Sequence, residues 1–182
     1  MASGSTNQSI EIYELLYPIY WQVMELIPDS GGPGKFRGGL GVNRRVRLEY
    51  GNKASTSSFG DRERHAPWGI NGGKKGLNHG FVINKGTSRE FNAGIMNSGA
   101  EIKKGDTYDY WSGGGGGFGD PFTRDPQKVL EEVRDNYVTP AGALRDYGVV
   151  VKNTDSLVFA EWTVDLAATQ AARSSNSTNG RC

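Results

Sequence analysis

Five consecutive glycines, Gly113–Gly117, stand between "YDYW" and "FGDPF", and no other stretch restricts the fold as much. Glycine loses more backbone freedom on ordering than any other residue, so an ordered pentaglycine needs a surface that a side chain would keep away. A slack linker would be flanked by Ser, Lys or Glu; here both flanks are aromatic. The stretch therefore reads as a loop pinned at its ends, its bare amides facing an anion, a partner strand or the chain's own domain. Trp111 and Phe118 are expected to bury on either side. Asp120 is expected to accept backbone hydrogen bonds, and Pro121 to fix the exit. Glycine recurs in "PDSGGPGKFRGGLG" (Pro28–Gly41) and "RHAPWGINGGKKGLNHG" (Arg64–Gly80), and the whole chain holds 27 glycines among 182 residues. That punctuation favours short strands and turns over a helical bundle.

Between the glycine blocks the pattern is of strands. "VNRRVRLEY" (Val42–Tyr50) alternates Val42, Arg44, Val46 and Leu48 with polar neighbours, the period-two mark of a half-buried strand. Tyr17–Ile27, "KASTSSFG", "FVIN", "EFNAGIMN" and "TYDYWSG" read as further strands, and "EIKKGDTY" carries a Lys-Gly-Asp turn. Ile10–Leu16 reads as a short helix capped by Ser9, stopped by Pro18. After Asp125-Pro126 and again after Thr139-Pro140, a cap followed by proline opens a helix; Gly148 releases the second into "VVV". A last strand and helix follow. The expectation is α+β: a mainly β, single domain over residues 9–174 with glycine-rich loops and short C-terminal helices. Residues 1–8 and 175–182 are expected to be a flexible N-terminus and tail.

With 36% hydrophobic and 10% aromatic residues the chain can build a core, and a net charge of +1 gives no overall pull toward nucleic acid or acidic membranes. Lys35, Arg37, Arg44, Arg45 and Arg47 nevertheless concentrate positive charge in one stretch. The single cysteine, Cys182, fits a reducing compartment. "IEIYELLYPIYWQVMELI" contains charges and a proline and is no membrane span. A soluble cytoplasmic protein with neither nucleic acid nor membrane as partner is expected.

Several chemistries lack their residues. The chain has two histidines, His65 and His79, without a carboxylate at ligand spacing, so no metal site is assigned. Gly34-Lys35 and Gly73-Lys74 are followed by Phe36 and Lys75 rather than Ser or Thr, which excludes a Walker loop. Gly114, Gly116 and Gly119 satisfy Gly-x-Gly-x-x-Gly, but Asp-Pro-Phe follows instead of an opening helix, and the dinucleotide context fails.

"PDSGGPGKFRGGLGVNRRVRL", "DRERHAPWGINGG" and "SGGGGGFGDPFTRDPQKVLEEVRDNYVTPAGALRDYGVVV" resemble, in order and spacing, the C-terminal part of hydantoinase B/5-oxoprolinase-type subunits, a superfamily that includes acetone and acetophenone carboxylase subunits. The resemblance runs from about Ser9 to Asp165. It implies a cytoplasmic, ATP-dependent complex in which a hydantoinase A-type subunit holds the nucleotide and phosphorylates a lactam or enol oxygen. The B-type polypeptide then completes the site for ring opening or carboxylation. The chain is shorter than such subunits, so the expectation is a small subunit or split C-terminal portion, inactive alone. Its expected partners are the A-type ATP-binding subunit and the N-terminal B-type portion. It is expected to bind no cofactor itself, with ATP and a divalent metal held by the partner subunits.

The substrate would be a small cyclic amide or, alternatively, a ketone. A free-standing β-rich module binding a ligand without catalysis is the remaining alternative. No catalytic residue is assigned. The candidates for a loop, interface or ligand-adjacent role are Gly113, Gly114, Gly115, Gly116, Gly117, Gly119 and Asp120, with Arg37, Asp61 and Arg62 from the other two blocks.

Overall fold

The computed structural model describes residues 8–179, with side chains through residue 175. Cys182 and most of the segment expected to be a flexible N-terminus lie outside the described residues. The fold is α+β and β-rich, and the chain forms two compact units that it visits in turn. The first comprises Met1–Glu25, Asn43–Glu63 and His79–Trp111; the second comprises Leu26–Val42, Arg64–Asn78 and Ser112–Cys182.

The first unit opens with helix α1 (Ile10–Leu16). The Ser9 hydroxyl accepts the Ile12 N–H at 3.4 Å, and Tyr17 turns extended before Pro18. Seven strands follow: β1 (Ile19–Leu26), β2 (Val42–Leu48), β3 (Lys53–Ser58), β4 (Gly80–Ile83), β5 (Phe91–Asn92), β6 (Asn97–Lys103) and β7 (Thr107–Trp111). They form a five-stranded sheet in the order β1-β2-β7-β4-β5 and a β3-β6 ribbon. Antiparallel register aligns Arg44 with Tyr110 and Phe81, and Val46 with Tyr108 and Ile83. That face carries the core: Leu48, Phe81, Ile83, Ile95 and Ile102 are each at most 5% exposed, with Ala54 and Ala100 of the ribbon packed against them.

Sequence reading placed no strand over Asn97–Lys103. Only Ile102 of β6 is buried, and Gly99 takes φ 75°. A ribbon strand that is nearly all exposed leaves little alternation to detect. The Lys104-Gly105-Asp106 turn is present: Gly105 adopts φ 84°, and Asp106 Oδ2 accepts the Lys103 N–H at 2.9 Å.

On the opposite sheet face the register pairs Arg45 with Asp109. Asp109 is 1% exposed, and Arg45 grips its carboxylate through Nε and Nη2 at 2.8–3.1 Å.

The second unit holds the three glycine-rich segments and the C-terminal elements α2 (Pro126–Arg134), α3 (Pro140–Tyr147), β8 (Val151–Lys152), β9 (Thr163–Val164) and α4 (Leu166–Asn179). Proline at the first helical turn lacks only an N–H that would have no helical partner there. Asp125 caps α2 by accepting the Gln127 N–H; Thr139 caps α3 through the Gly142 N–H. Gly148, at φ 62°, ends α3 left-handed. Asp29 bonds both the amide and the hydroxyl of Thr139, tying the first glycine segment to the start of α3. Val129, Val133, Val138, Ala143, Tyr147 and Val149, each at most 3% exposed, form this unit's core. Of the segment expected to be a flexible tail, the part through Asn179 belongs to α4.

Removing Arg45 leaves a buried carboxylate without its cation. Arg45→Ala is expected to cost about 2 kcal/mol in denaturant unfolding, below the usual range for a buried pair because the guanidinium is partly solvated. Arg45→Met with Asp109→Leu should recover most of that loss.

Candidate functional site

What approaches the pentaglycine is the unit's own backbone. Gly115 donates to the Gly39 carbonyl at 2.9 Å and accepts from Gly32 at 2.7 Å. Gly114 donates to Leu77 and Gly117 to Lys74, while Ile70 donates to Gly117. The central segment thus bonds to two neighbouring segments at once without forming a regular sheet. A Cβ on Gly114, Gly116 or Gly117 would lie closer than 3.0 Å to the carbonyl oxygen of Ser30, Trp68 or Pro33 respectively; one on Gly115 would meet the Gly39 nitrogen at 3.2 Å. The reverse faces are equally close: Gly38 abuts Gly115, Gly73 abuts Gly117 and Gly76 abuts Gly114. As at the axis of the collagen triple helix, backbone packs on backbone and only glycine fits. Handedness is not the reason, because in this stretch only Gly119 takes positive φ, 74°.

Phe118 does not bury as expected; it is 47% exposed. Its main chain pins the loop instead, exchanging hydrogen bonds with Phe36 at 2.9 and 3.0 Å. Asp120 accepts the Phe122 N–H at 2.9 Å and caps a single 3-10 turn, Pro121–Thr123.

Arg37 is held inside the same unit. Its Nε meets Glu132 Oε1 at 2.8 Å, its Nη1 donates to the Gly38 carbonyl at 2.6 Å, and it lies over the Tyr137 ring. Arg124 shares the same Glu132 oxygen at 3.1 Å and donates to the Lys35 carbonyl at 2.8 Å. The three side chains are only 11–14% exposed. Burial pushes the neighbouring Tyr147 hydroxyl well above its ordinary value, and the Glu132 charge adds to the rise. The cluster clamps the first glycine segment to α2. Glu132 and Arg124 escape sequence reasoning because nothing in local periodicity marks two residues that meet Arg37 only through the fold.

Asp61 and Arg62 belong to the first unit, apart from the candidates in the second. Arg62 adopts φ 68°, a costly region for a side-chain-bearing residue, and its carbonyl accepts the His79 N–H at 3.2 Å. Burial lowers the His79 pKa, an effect that the Asp61 carboxylate partly offsets. The first unit also holds an open cavity of about 480 Å³, walled by Tyr13, Tyr17, Trp21, Phe81 and Tyr110, with Arg44 over the Tyr110 ring. Aromatic walls with one guanidinium suit a small planar ligand. Its lining contains no His, Asp, Glu, Lys or Cys; its polar groups include the Arg44 guanidinium and Tyr, Ser and Thr hydroxyls.

Among the described residues, no group of three or more His, Cys, Asp or Glu is placed to hold a metal ion, and no helix is long and apolar enough to cross a membrane.

These segments and their order define a known class. The sequence pattern of the family described as hydantoinase B/oxoprolinase matches residues 1–121, and the chain belongs to that family. It is 31% identical to the B component of a D-/L-hydantoinase, so described, of Pseudomonas sp. (strain NS671), over 86% of this chain and 26% of that protein. The ATP-dependent caprolactamase of Pseudomonas jessenii superposes with a TM-score of 0.71 at 31% identity, covering 91% of this chain and 28% of that one. A nucleotide-free acetone carboxylase structure superposes with a TM-score of 0.77 at 26% identity, covering 94% and 26%. The chain spans just over a quarter of the length of these relatives.

Gly116→Ala should destabilise the second unit by about 3 kcal/mol, because its methyl must displace a main-chain carbonyl. Gly39→Ala, with nothing within 4 Å of the added carbon, should be neutral or stabilising by about 0.4–1 kcal/mol. Equal melting temperatures for the two variants would show that the glycine block yields.

The histidine gives a second expectation. Since the folded pKa of His79 lies below its ordinary 6.5, the unfolded chain takes up the proton first as pH falls. Its contribution is therefore full above that value and is lost from about pH 6.5 downward until the folded pKa is passed. His79→Gln should flatten the melting temperature against pH in that window; an unchanged profile would mean that His79 is not titrating differently in the two states.

Proposed function

We propose that this chain supplies one portion of the B-type component of an ATP-dependent enzyme that opens small cyclic amides. It would work with an A-type nucleotide-binding subunit and the remainder of a B-type polypeptide. The observation that supports this reading is the sequence shared with the hydantoinase and caprolactamase subunits and the fold shared with the caprolactamase, with the family match running through all three glycine-rich blocks. A cyclic amide carbonyl is a weak electrophile. Phosphorylation of its oxygen by an ATP-binding partner would make the carbon open to water and the ring C–N bond able to break. In that scheme the glycine block is a rigid scaffold. The aromatic cavity with Arg44 offers flat walls and a donor for a planar, carbonyl-bearing molecule, and ATP and any divalent metal are held by the partners.

Ketone carboxylation is the second reading, favoured by the acetone carboxylase superposition. Both predict that the purified chain alone neither hydrolyses ATP nor opens hydantoin, 5-oxoproline or caprolactam. Reconstitution with an A-type subunit and the remaining B-type polypeptide should give ATP-dependent ring opening. Turnover by the isolated chain would overturn the proposal. Incorporation of bicarbonate into acetone or acetophenone, with no ring opening, would establish the carboxylase reading instead.

A further inference from the structure

The side chains at one end of the glycine block point to an interaction surface. Phe36, Ile70 and Phe118 lie on three different segments brought into register there: Phe36 pairs antiparallel with Phe118, and Ile70 pairs parallel with it. The two phenyl rings are 6.3 Å apart. Phe36 is 61% exposed, Ile70 54% and Phe118 47%, while Trp68, two residues before Ile70, is 64% exposed. Scattered exposed apolar residues are ordinary, but a contiguous set on a fixed backbone is not. This backbone is fixed: Phe36 and Phe118 exchange both main-chain bonds, Ile70 donates to Gly117, and Gly119 donates to Ile70. Little further ordering would be needed to dock against it, which is the arrangement that makes aromatic anchors effective. The neighbouring Lys35 and Asp120 are exposed and give the patch a polar rim.

We propose that this apolar end is the seat for the remainder of the B-type polypeptide; the proposal rests on the function proposed above. The superposed relatives carry this fold as 26–28% of their chains, so each has a large body of its own polypeptide available to cover such a surface. The area argues the same way. Four such side chains, about half exposed, present on the order of 400 Å², whereas a stable free-standing dimer needs about 800 Å² from each partner. The patch suits a complement that other contacts also hold in place, more than a second copy of this chain.

The test uses the isolated chain and the full-length beta chain of the Pseudomonas jessenii caprolactamase with its matching stretch replaced by this chain. Hydroxyl-radical oxidation read by mass spectrometry should fall about fivefold at Phe36, Trp68 and Phe118 in the replacement protein, as expected when half-exposed rings enter an interface core. Phe36→Ser with Phe118→Ser should leave the isolated chain's melting temperature unchanged and lower that of the replacement protein. Equal oxidation in the two proteins, with the replacement protein folded and assembled, would overturn the proposed seat and leave the functional reading standing. A concentration-dependent dimer of the isolated chain that the paired serine substitution abolishes would assign the patch to a second copy and overturn the proposed occupant. A replacement protein that fails to fold where the parent folds would count against the functional reading, and the proposed seat would fall with it.

Discussion

The second unit depends on one kind of contact, main chain against main chain with no side chain between. Ordering a glycine costs roughly 0.5–1 kcal/mol more than ordering an alanine, and the block orders many of them. Each amide and carbonyl that interlocks contributes only about 1 kcal/mol net. What decides the balance is the alternative: buried main-chain groups without partners would each cost about 1–3 kcal/mol. The central segment limits this by sending three of its amides to different neighbours, Gly114 to Leu77, Gly115 to Gly39 and Gly117 to Lys74. A single methyl on Gly114, Gly116 or Gly117 would be driven into the main-chain carbonyl of Ser30, Trp68 or Pro33 and force these segments apart.

Carboxylates held under guanidinium groups complete the scaffold in both units. In the first unit Asp109 lies beneath Arg45; in the second, Glu132 accepts from both Arg37 and Arg124. A buried ion pair adds little net stability over a well-packed apolar substitute, yet removing one partner is costly. Such pairs therefore act mainly on register. Arg45 with Asp109 fixes which residue of β2 faces which of β7. Arg37 and Arg124, each also bonded to a carbonyl of the first glycine segment, fix where that segment lies against α2.

Local elements were the legible part of the sequence. Ser9, Asp125 and Thr139 act as caps, Gly148 ends α3, and Val42–Leu48 alternates, because each signal is set by residues a few positions apart. The α+β class follows from them. The glycine block was legible as a constraint but not as a solution: the cost of ordering Gly113–Gly117 is written in the sequence, while the partner segments lie about forty to eighty positions upstream. The pairing of Arg37 with Glu132 was hidden for the same reason, since the two stand 95 residues apart. β6 was missed because a ribbon strand with one buried residue has almost no pattern to show.

A lattice of bare backbone has no side chains with which to recognise a substrate. Several of its amides and carbonyls are used by one another, with Gly114, Gly115 and Gly117 donating to Leu77, Gly39 and Lys74. Side-chain recognition within this chain then falls to the margins of the scaffold and to the first unit. There the sheet turns Arg44, Phe81, Tyr108 and Tyr110 to a common face beside an open cavity. The same logic gives the exposed rings of Phe36 and Phe118 their weight. Their main chains are locked by the block, so the rings are presented in a set geometry at no further backbone cost. A glycine-rich interior fixes the main chain of its border residues, and that is the physical link between the pentaglycine and whatever surface meets it.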